Sequence, residues 1–451
     1  MSDIIAAIAT GRAPCAIGIL RLSGPGCAAL TGRVFTPKQP FADAPDRRLV
    51  LGLLHDRQGR VIDECLGVVC RAPHSYTGEE TVELQCHGSP AMLAAGLEAL
   101  LAAGARQAGP GEFTRRAFLN GKLDLTQAEA VVDLIDAETA DAAANAAGQL
   151  GGALKRAIEP VYDGLTDLCS HFHAVLDYPD EDIEDFGAAE LSGALDRAGA
   201  ALQELLATYE KGRHLRQGVR AVLLGKPNAG KSSLLNRLAG YDRVIVTDIA
   251  GTTRDTVEEP VRVGRVLLRL TDTAGIREAG DAIEALGVAR SEQAAREAEL
   301  ALFVCDGSQP LTDEDRRAIE AAKCAPRSLA LCNKSDLPAA VSPDELPFDT
   351  VLTVSARTGA GLDALPAVLE GWFLGENACD GSLLTNPRQF GALDRASRAI
   401  ERAKAGLSLG VTPDAVLTDV EEAMAALGEV TGRTVREDIT NRIFERFCVG
   451  K

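Results

Sequence analysis

Short apolar runs broken by turn residues dominate the first 118 positions. The runs Ala16–Arg21, Cys65–Cys70 and Thr81–Cys86 read as strands, and the longer stretch Ala91–Ala103 reads as a helix, which together predict a compact α+β domain. From Leu123 the period lengthens. Ala-rich helical spacing runs through Ala146 and returns over Ile158–His173 and Leu191–Leu215. Strands and helices alternate from Arg220 to Leu374. Helical spacing then resumes over Gly391–Ala405, Asp414–Leu427 and Glu437–Phe447, the last with Ile439, Ile443, Phe444 and Phe447 on one face. Neither helical half offers a second face for its apolar stripe, so the α/β segment is expected to be inserted into one discontinuous helical domain. The expected bounds are 1–119 for the α+β domain, 120–216 and 375–451 for the two helical parts, and 217–374 for the insertion.

The insertion carries chemistry in its loops. Gly225-Lys226-Pro227-Asn228-Ala229-Gly230-Lys231-Ser232 matches G-x-x-x-x-G-K-[ST] between the apolar strand Val219–Leu224 and the helix opening at Ser233. Glycines let the backbone curl around phosphates, Lys231 reaches the β/γ oxygens and Ser232 offers a hydroxyl to Mg²⁺. About a hundred residues on, Asn333-Lys334-Ser335-Asp336 follows the apolar run Ser328–Cys332. The Asp336 carboxylate can accept from the ring N–H and exocyclic amine of guanine, whereas adenine would leave those acceptors unpaired. Asp272-Thr273-Ala274-Gly275 after Val266–Leu270, the pair Thr252-Thr253 in a switch-like loop, and Ser355-Ala356-Arg357 after Val351–Val354 complete the order expected of a Ras-like P-loop G domain that binds GTP.

Two residues depart from that pattern. Ile276 stands where Ras-like enzymes place the glutamine that orients water, which leaves Glu278, Asp281 and Glu284 as candidates for that task and Arg254 and Arg277 as candidate charge stabilisers. Asn228 brings a side-chain carbonyl into the P-loop, where it can coordinate a monovalent cation. An isolated acidic residue is more often a solvated surface charge, and a variable P-loop position is often neutral.

Composition narrows the picture further. The 451 residues suffice for about three domains. With 46% hydrophobic and 25% charged residues and no stretch near the ~20 apolar residues that span a bilayer, a soluble cytoplasmic protein without a signal peptide or membrane association is expected. Eleven cysteines form no C-x-x-C pair and read as reduced small hydrophobes. A net charge of −18 argues against broad electrostatic binding of nucleic acid, though arginines gather locally at 433, 436, 442 and 446.

Taken end to end, the chain resembles the MnmE (TrmE) family of tRNA-modification GTPases. The resemblance rests on Gly18–Gly24, Ser75–Glu80, Gly109–Asn120 with Lys122–Leu125, the G motifs, and the terminal Cys448-Val449-Gly450-Lys451, which matches a C-x-G-K ending. It implies a homodimer built through N-terminal domains that bind a tetrahydrofolate one-carbon donor, with Arg21, Glu83, Lys122 and Lys451 around the folate. It implies that Asn228, Thr247, Ile249 and Thr252 hold K⁺, that Ser232 and Thr253 hold Mg²⁺, and that Glu284 positions the attacking water indirectly. The nucleotide contacts so implied run over Asn228, Ala229, Gly230, Lys231, Ser232 and Ser233, the loop residues Thr247, Asp248, Ile249, Ala250, Gly251, Thr252 and Thr253, then Asp272, Thr273, Ala274 and Gly275, and the base-side residues Asn333, Lys334, Asp336, Ser355, Ala356 and Arg357. A flavoprotein partner of the MnmG type, using FAD and NADH, is expected to join in a heterotetramer that installs an aminomethyl-type group at C5 of the wobble uridine of certain tRNAs, with Cys448 taking part in that chemistry. Cys86-His87-Gly88-Ser89 departs from the family's glycine-rich stretch and bears on the shape of the folate pocket. The alternative is a ribosome-assembly or regulatory GTPase without modification chemistry.

Overall fold

The computed structural model describes residues 3–11, 13–37, 44–177, 188–241, 258–271, 284–375, 380–434, 443–445 and 447–450. They group into two compact units. One comprises 1–132, 149–199 and 395–451, the other 133–148 and 200–394.

The first unit is built on a seven-stranded sheet. Its strands are β1 (Ile5–Ile8), β2 (Cys15–Ser23), β3 (Phe35–Pro37), β4 (Val50–His55), β5 (Val61–Cys70), β6 (Thr81–Gly88) and β7 (Arg106–Gln107), in the spatial order β3-β4-β5-β6-β2-β1-β7. All neighbours are antiparallel except β1 and β7, which run parallel. Period-two burial is plain in β4, where Val50, Gly52 and Leu54 are buried while Leu51 and Leu53 are exposed. The inward face, with Leu20, Leu22, Leu54, Val82 and Leu84, is covered by helix α2 (Pro90–Ala102) through Leu93, Ala99 and Leu100. The short helix α1 (Cys27–Thr31) adds Cys27, Ala28 and Leu30 to that core, and α3 (Glu112–Leu119) buries Phe113 and Ala117.

Helices α4 (Leu125–Ile135), α5 (Ala140–Leu150) and α6 (Ala153–Asp177) follow. On α6 the buried positions Leu154, Ile158, Val161, Leu165 and Leu168 repeat at helical spacing, which is the stripe that a partner helix covers. That partner lies far down the chain: α6 packs with α14 (Pro413–Thr431), which buries Val420, Ala423, Leu427 and Val430. The single helix expected over Leu191–Leu215 is two, α7 (Ala188–Ala207) and α8 (Tyr209–Gln217). At the junction the Thr208 hydroxyl donates to the Leu205 carbonyl at 2.7 Å and accepts from the Leu384 amide at 3.0 Å, so the side chain competes with the helical ladder.

The second unit holds a six-stranded sheet of β8 (Val219–Leu224), β9 (Glu258–Val263), β10 (Val266–Thr271), β11 (Leu300–Asp306), β12 (Arg327–Asn333) and β13 (Val351–Thr353), ordered β13-β12-β11-β8-β10-β9. Only β9 runs antiparallel to its neighbour. Strand β11 is buried at all seven positions, as a strand covered on both faces must be. Helices α9 (Lys231–Tyr241), α10 (Glu284–Glu297), α11 (Asp313–Ala322) and α12 (Ala364–Phe373) alternate with these strands, and α13 (Pro387–Ser408) follows. Residues 133–148 join this unit through charge pairs: Arg265 meets Asp141 at 2.5 Å and Arg269 meets Glu138. Among the described residues no helix is long and apolar enough to cross a membrane.

Candidate nucleotide site and C-terminal thiol

The loop between β8 and α9 carries the G-x-x-x-x-G-K-[ST] motif at one end of the second unit's sheet. Its turn needs unusual backbone, with φ of +62° at Asn228 and +99° at Gly230. Glycine is required at 230 twice over, since a Cβ there would stand 2.2 Å from Nδ2 of Asn333. Asn228 has its own local reason: asparagine tolerates the left-handed region better than most residues, whatever its side chain holds. Lys231 Nζ donates to the carbonyls of Gly225 at 2.5 Å and Lys226 at 2.9 Å, curled over the loop it serves. At the start of α9, Ser232 and Ser233 are exposed beside the helix's free amides.

Asn333 ties the two ends of the site together. Its Nδ2 donates to the Ala229 carbonyl at 2.9 Å and its Oδ1 accepts from the Ala356 amide at 2.9 Å, in a side chain only 2% exposed. The phosphate loop and the base loop are thereby clamped by one buried amide. Lys334 adopts φ of +65° and its Nζ pairs with Asp306 at 2.6 Å. Asp336 accepts from the Ser355 hydroxyl at 2.5 Å and pairs with Arg357 at 2.6 Å. The Ser355 hydrogen bond, then Arg357, hold the Asp336 carboxyl below the ordinary carboxylate range, so it remains an acceptor at neutral pH.

One contact was not legible in the motifs. Lys226 Nζ pairs at 2.8 Å with Asp315, a fully buried residue that also caps α11 by accepting from the Thr312 amide and hydroxyl. The spacing Thr312-x-x-Asp315 is a capping-box signal, but nothing local says that a P-loop lysine reaches it. Thr247, Asp248, Ile249, Ala250, Gly251, Thr252 and Thr253, together with Asp272, Thr273, Ala274 and Gly275, lie outside the described residues, as do Arg254, Ile276, Arg277, Glu278 and Asp281. Glu284 is placed as the first residue of α10.

In the first unit, Arg21 and Glu83 face each other across β2 and β6 and form an ion pair at 2.8 Å. The guanidinium lies over the rings of Tyr76 and Phe113, at 5.7 and 5.8 Å, and donates to the Gly450 carbonyl at 3.4 Å. Lys122 packs against Gly78 of the loop that carries Tyr76, and Lys451 lies outside the described residues. The chain's end is anchored there by apolar burial and by backbone. Phe444 and Phe447 enter a cluster with Ala128 and Val131, Val449 forms an antiparallel bridge with Pro110, and the Gly111 amide donates to the Cys448 carbonyl at 3.3 Å. Gly450 takes φ of +105°, where a Cβ would meet the Ile8 carbonyl at 2.4 Å. Cys448 itself is exposed, unlike most of the described cysteines, so it does not fit the reading of the cysteines as small hydrophobes.

A largely buried charge network, reaching out to the exposed Asp3, stabilises this region and was not visible in the sequence. Arg116 pairs with Asp3 at 2.7 Å, Glu79 at 2.9 Å and Glu112 at 3.2 Å, and donates to the Asp3 carbonyl. It ties α3 to β1 and to the 75–80 loop.

Comparison with known proteins decides the family. Residues 4–122 match the profile described as "GTP-binding protein TrmE N-terminus", and residues 125–448 match that described as "MnmE helical domain". The chain belongs to the MnmE family. A protein named tRNA modification GTPase MnmE from Roseiflexus sp. (strain RS-1) is 45% identical over 465 residues, covering 100% of this chain and 99% of its own. Proteins of the same name from Chloroflexus aurantiacus and Aquifex aeolicus are 43% and 41% identical, each covering 100% of both chains. MnmE-family similarity runs along the full length of the chain.

Proposed function

We propose that this MnmE-family chain is a GTP hydrolase acting in tRNA modification. The observation that carries the reading is the Asn333 clamp, which joins a P-loop bearing Lys231 to a base loop in which Asp336 is kept charged by Ser355 and Arg357, in a chain related over its whole length to tRNA modification GTPases. Guanine offers two donors to that carboxylate. Ser232 with Thr253 would hold Mg²⁺, and Asn228 with Thr247, Ile249 and Thr252 would hold K⁺, each ion neutralising charge on the phosphates. Glu284 would position water indirectly.

The same reading gives the first unit a tetrahydrofolate derivative at Arg21, Glu83, Lys122 and Lys451. What supports it is the convergence of the Arg21–Glu83 pair, the Tyr76 and Phe113 rings and the C-terminal segment beside Cys448. Homodimer formation is supported by exposed apolar residues at and beside β4 on the sheet face opposite α2, where Leu49, Leu51 and Leu53 are 36–50% exposed. An MnmG-type flavoprotein with FAD and NADH would complete the installation of an aminomethyl-type group at C5 of the wobble uridine, in the cytoplasm.

Two measurements test this. GTP turnover in K⁺ is expected to exceed that in Na⁺ by ~10²-fold or more, the scale of removing one preorganised positive contact at the transition state; equal rates overturn the K⁺ assignment. Mass spectrometry of wobble nucleosides from cells lacking the chain should show the unmodified uridine, and a full complement of modified nucleoside overturns the tRNA role.

A further inference from the structure

Strand β5 carries Asp63 and Cys65 two residues apart, hence on one face, and β6 brings Cys86 beside them. The donor atoms of Asp63, Cys65 and Cys86 all lie within 4.8 Å of one another. Both thiols are at least 96% buried, among Leu20, Leu54, Leu84 and Leu93. The cross-strand positions flanking them are glycines: Gly52 pairs with Cys65 and Gly18 with Cys86. Phe35 and Leu93 close over those glycines, so close that a Cβ at either would meet them at 2.5 or 2.4 Å. The carboxylate is only 8% exposed yet is itself oriented: Oδ1 meets His87 Nδ1 at 2.7 Å and Oδ2 accepts from the His87 amide at 2.8 Å.

This is not how a protein ordinarily places a carboxylate. Next to two buried thiols it has, among the described residues, no cationic partner within the core, and its ring partner, His87, is on the solvent side, 80% exposed. Two thiols and a carboxylate whose other lone pairs are fixed by an imidazole and an amide make the donor set of a small, thiophilic, four-coordinate cation. The imidazole in that arrangement is an orienting partner of the carboxylate, as outer-shell groups of metal sites are.

We propose that Asp63, Cys65 and Cys86 form a site for a divalent cation of the zinc class, with His87 positioning the carboxylate and a water completing four-coordination. On binding, each thiol releases its proton and forms a metal–sulfur bond, so that two protons leave for one dication. The apolar shell excludes water from the sulfurs, and entry is by the exposed His87 rim. The site is separate from the Arg21–Glu83 pair, which stands on the opposite face of the same sheet, since Arg21 and Glu83 alternate with the inward-facing Leu20, Leu22, Leu84 and Cys86.

The test uses the full chain, reduced and stripped with chelator, then titrated with Co²⁺ and with Zn²⁺ alone. One Co²⁺ per chain with thiolate charge-transfer and tetrahedral d–d absorption, displaced by Zn²⁺, is the expected result. Cys86→Ser and Asp63→Asn should abolish the spectrum, and His87→Ala should weaken binding by about 10–100-fold while leaving the spectrum's shape. Cys15→Ser and Cys448→Ser, which remove exposed thiols, should leave it intact. Far-UV circular dichroism and amide-exchange protection of β5 and β6 in each variant report that the first unit is folded. Absence of thiolate absorption in the folded parent, its persistence in folded Cys86→Ser, or a Cys65–Cys86 disulfide formed in air at the same rate with and without Zn²⁺ would each overturn the proposal.

Discussion

Asn333 shows how much a single side chain can decide. With donor and acceptor both used inside the protein, it touches neither phosphate nor base in its present bonds, yet both loops depend on it. Gly230→Ala should therefore act as an Asn333 lesion: the new Cβ, 2.2 Å from Nδ2, breaks the clamp, and nucleotide affinity should fall by about 10–100-fold, the cost of leaving buried partners unpaired. Isothermal titration with GDP checks it, and parental affinity would show that the loops are held otherwise. Asp336→Asn should instead exchange preference from GTP to XTP, because xanthine presents a carbonyl where guanine presents an amine; competition between the two nucleotides reads this directly. The motif residues were legible because their chemistry is encoded within a few positions. Lys226 with Asp315, and Arg116 with Asp3, were not, because each joins groups 89 or 113 residues apart and either arginine or lysine alone reads as surface charge.

Among the elements, β8 begins and ends where its apolar run does, at Val219 and Leu224, and the expected strands at 65–70 and 81–86 lie within β5 and β6. Strands β1, β3, β4 and β7 escaped notice, and of these β1, β3 and β7 are only four, three and two residues long. The tail after Phe447 escaped too, since a bridge to Pro110 has no local pattern. That bridge makes a prediction. Gly450→Ala places a side chain against the Ile8 carbonyl at a backbone angle that costs about 1–2 kcal/mol for other residues, so it should undock the thiol segment. Wobble-uridine modification should drop, as is expected of Cys448→Ser, while GTP turnover stays within about twofold, as for independent sites. Acid sensitivity belongs to this scale as well. Asp3 is lowered to about 2, chiefly by the Arg106 hydrogen bond, and the same arginine helps to hold Glu112 low against burial that would raise it. A carboxyl depressed in the fold contributes above its unfolded value, near 4, and loses that contribution as pH falls toward 2. Arg106→Gln should lower protection of the β1 and β2 amides from exchange at pH 6, by under about 1 kcal/mol for so exposed a group, and the difference from the parent should shrink below the unfolded value and disappear only below about pH 2.

At the scale of the molecule, the exposed apolar residues Leu49, Leu51 and Leu53 lie outside the core and are the contact that the proposed homodimer would use. In a two-fold interface each substitution is felt twice, so Leu51→Glu with Leu53→Glu should cost about 8 kcal/mol of association and leave a monomer by sedimentation. A dimer that survives both changes would place the contact elsewhere. The division into two units has a separate consequence for the order of synthesis. The first unit's chain is interrupted after residue 132, resumes at 149 and closes only with 395–451, whereas the second sheet has all six strands once residue 353 has left the ribosome. The nucleotide-binding sheet can consequently complete itself while α6 still waits for α14, with its apolar stripe uncovered. Chaperone demand during translation should peak in that interval, and a nascent chain arrested between the two events would already bind GTP but would not yet have a docked cysteine.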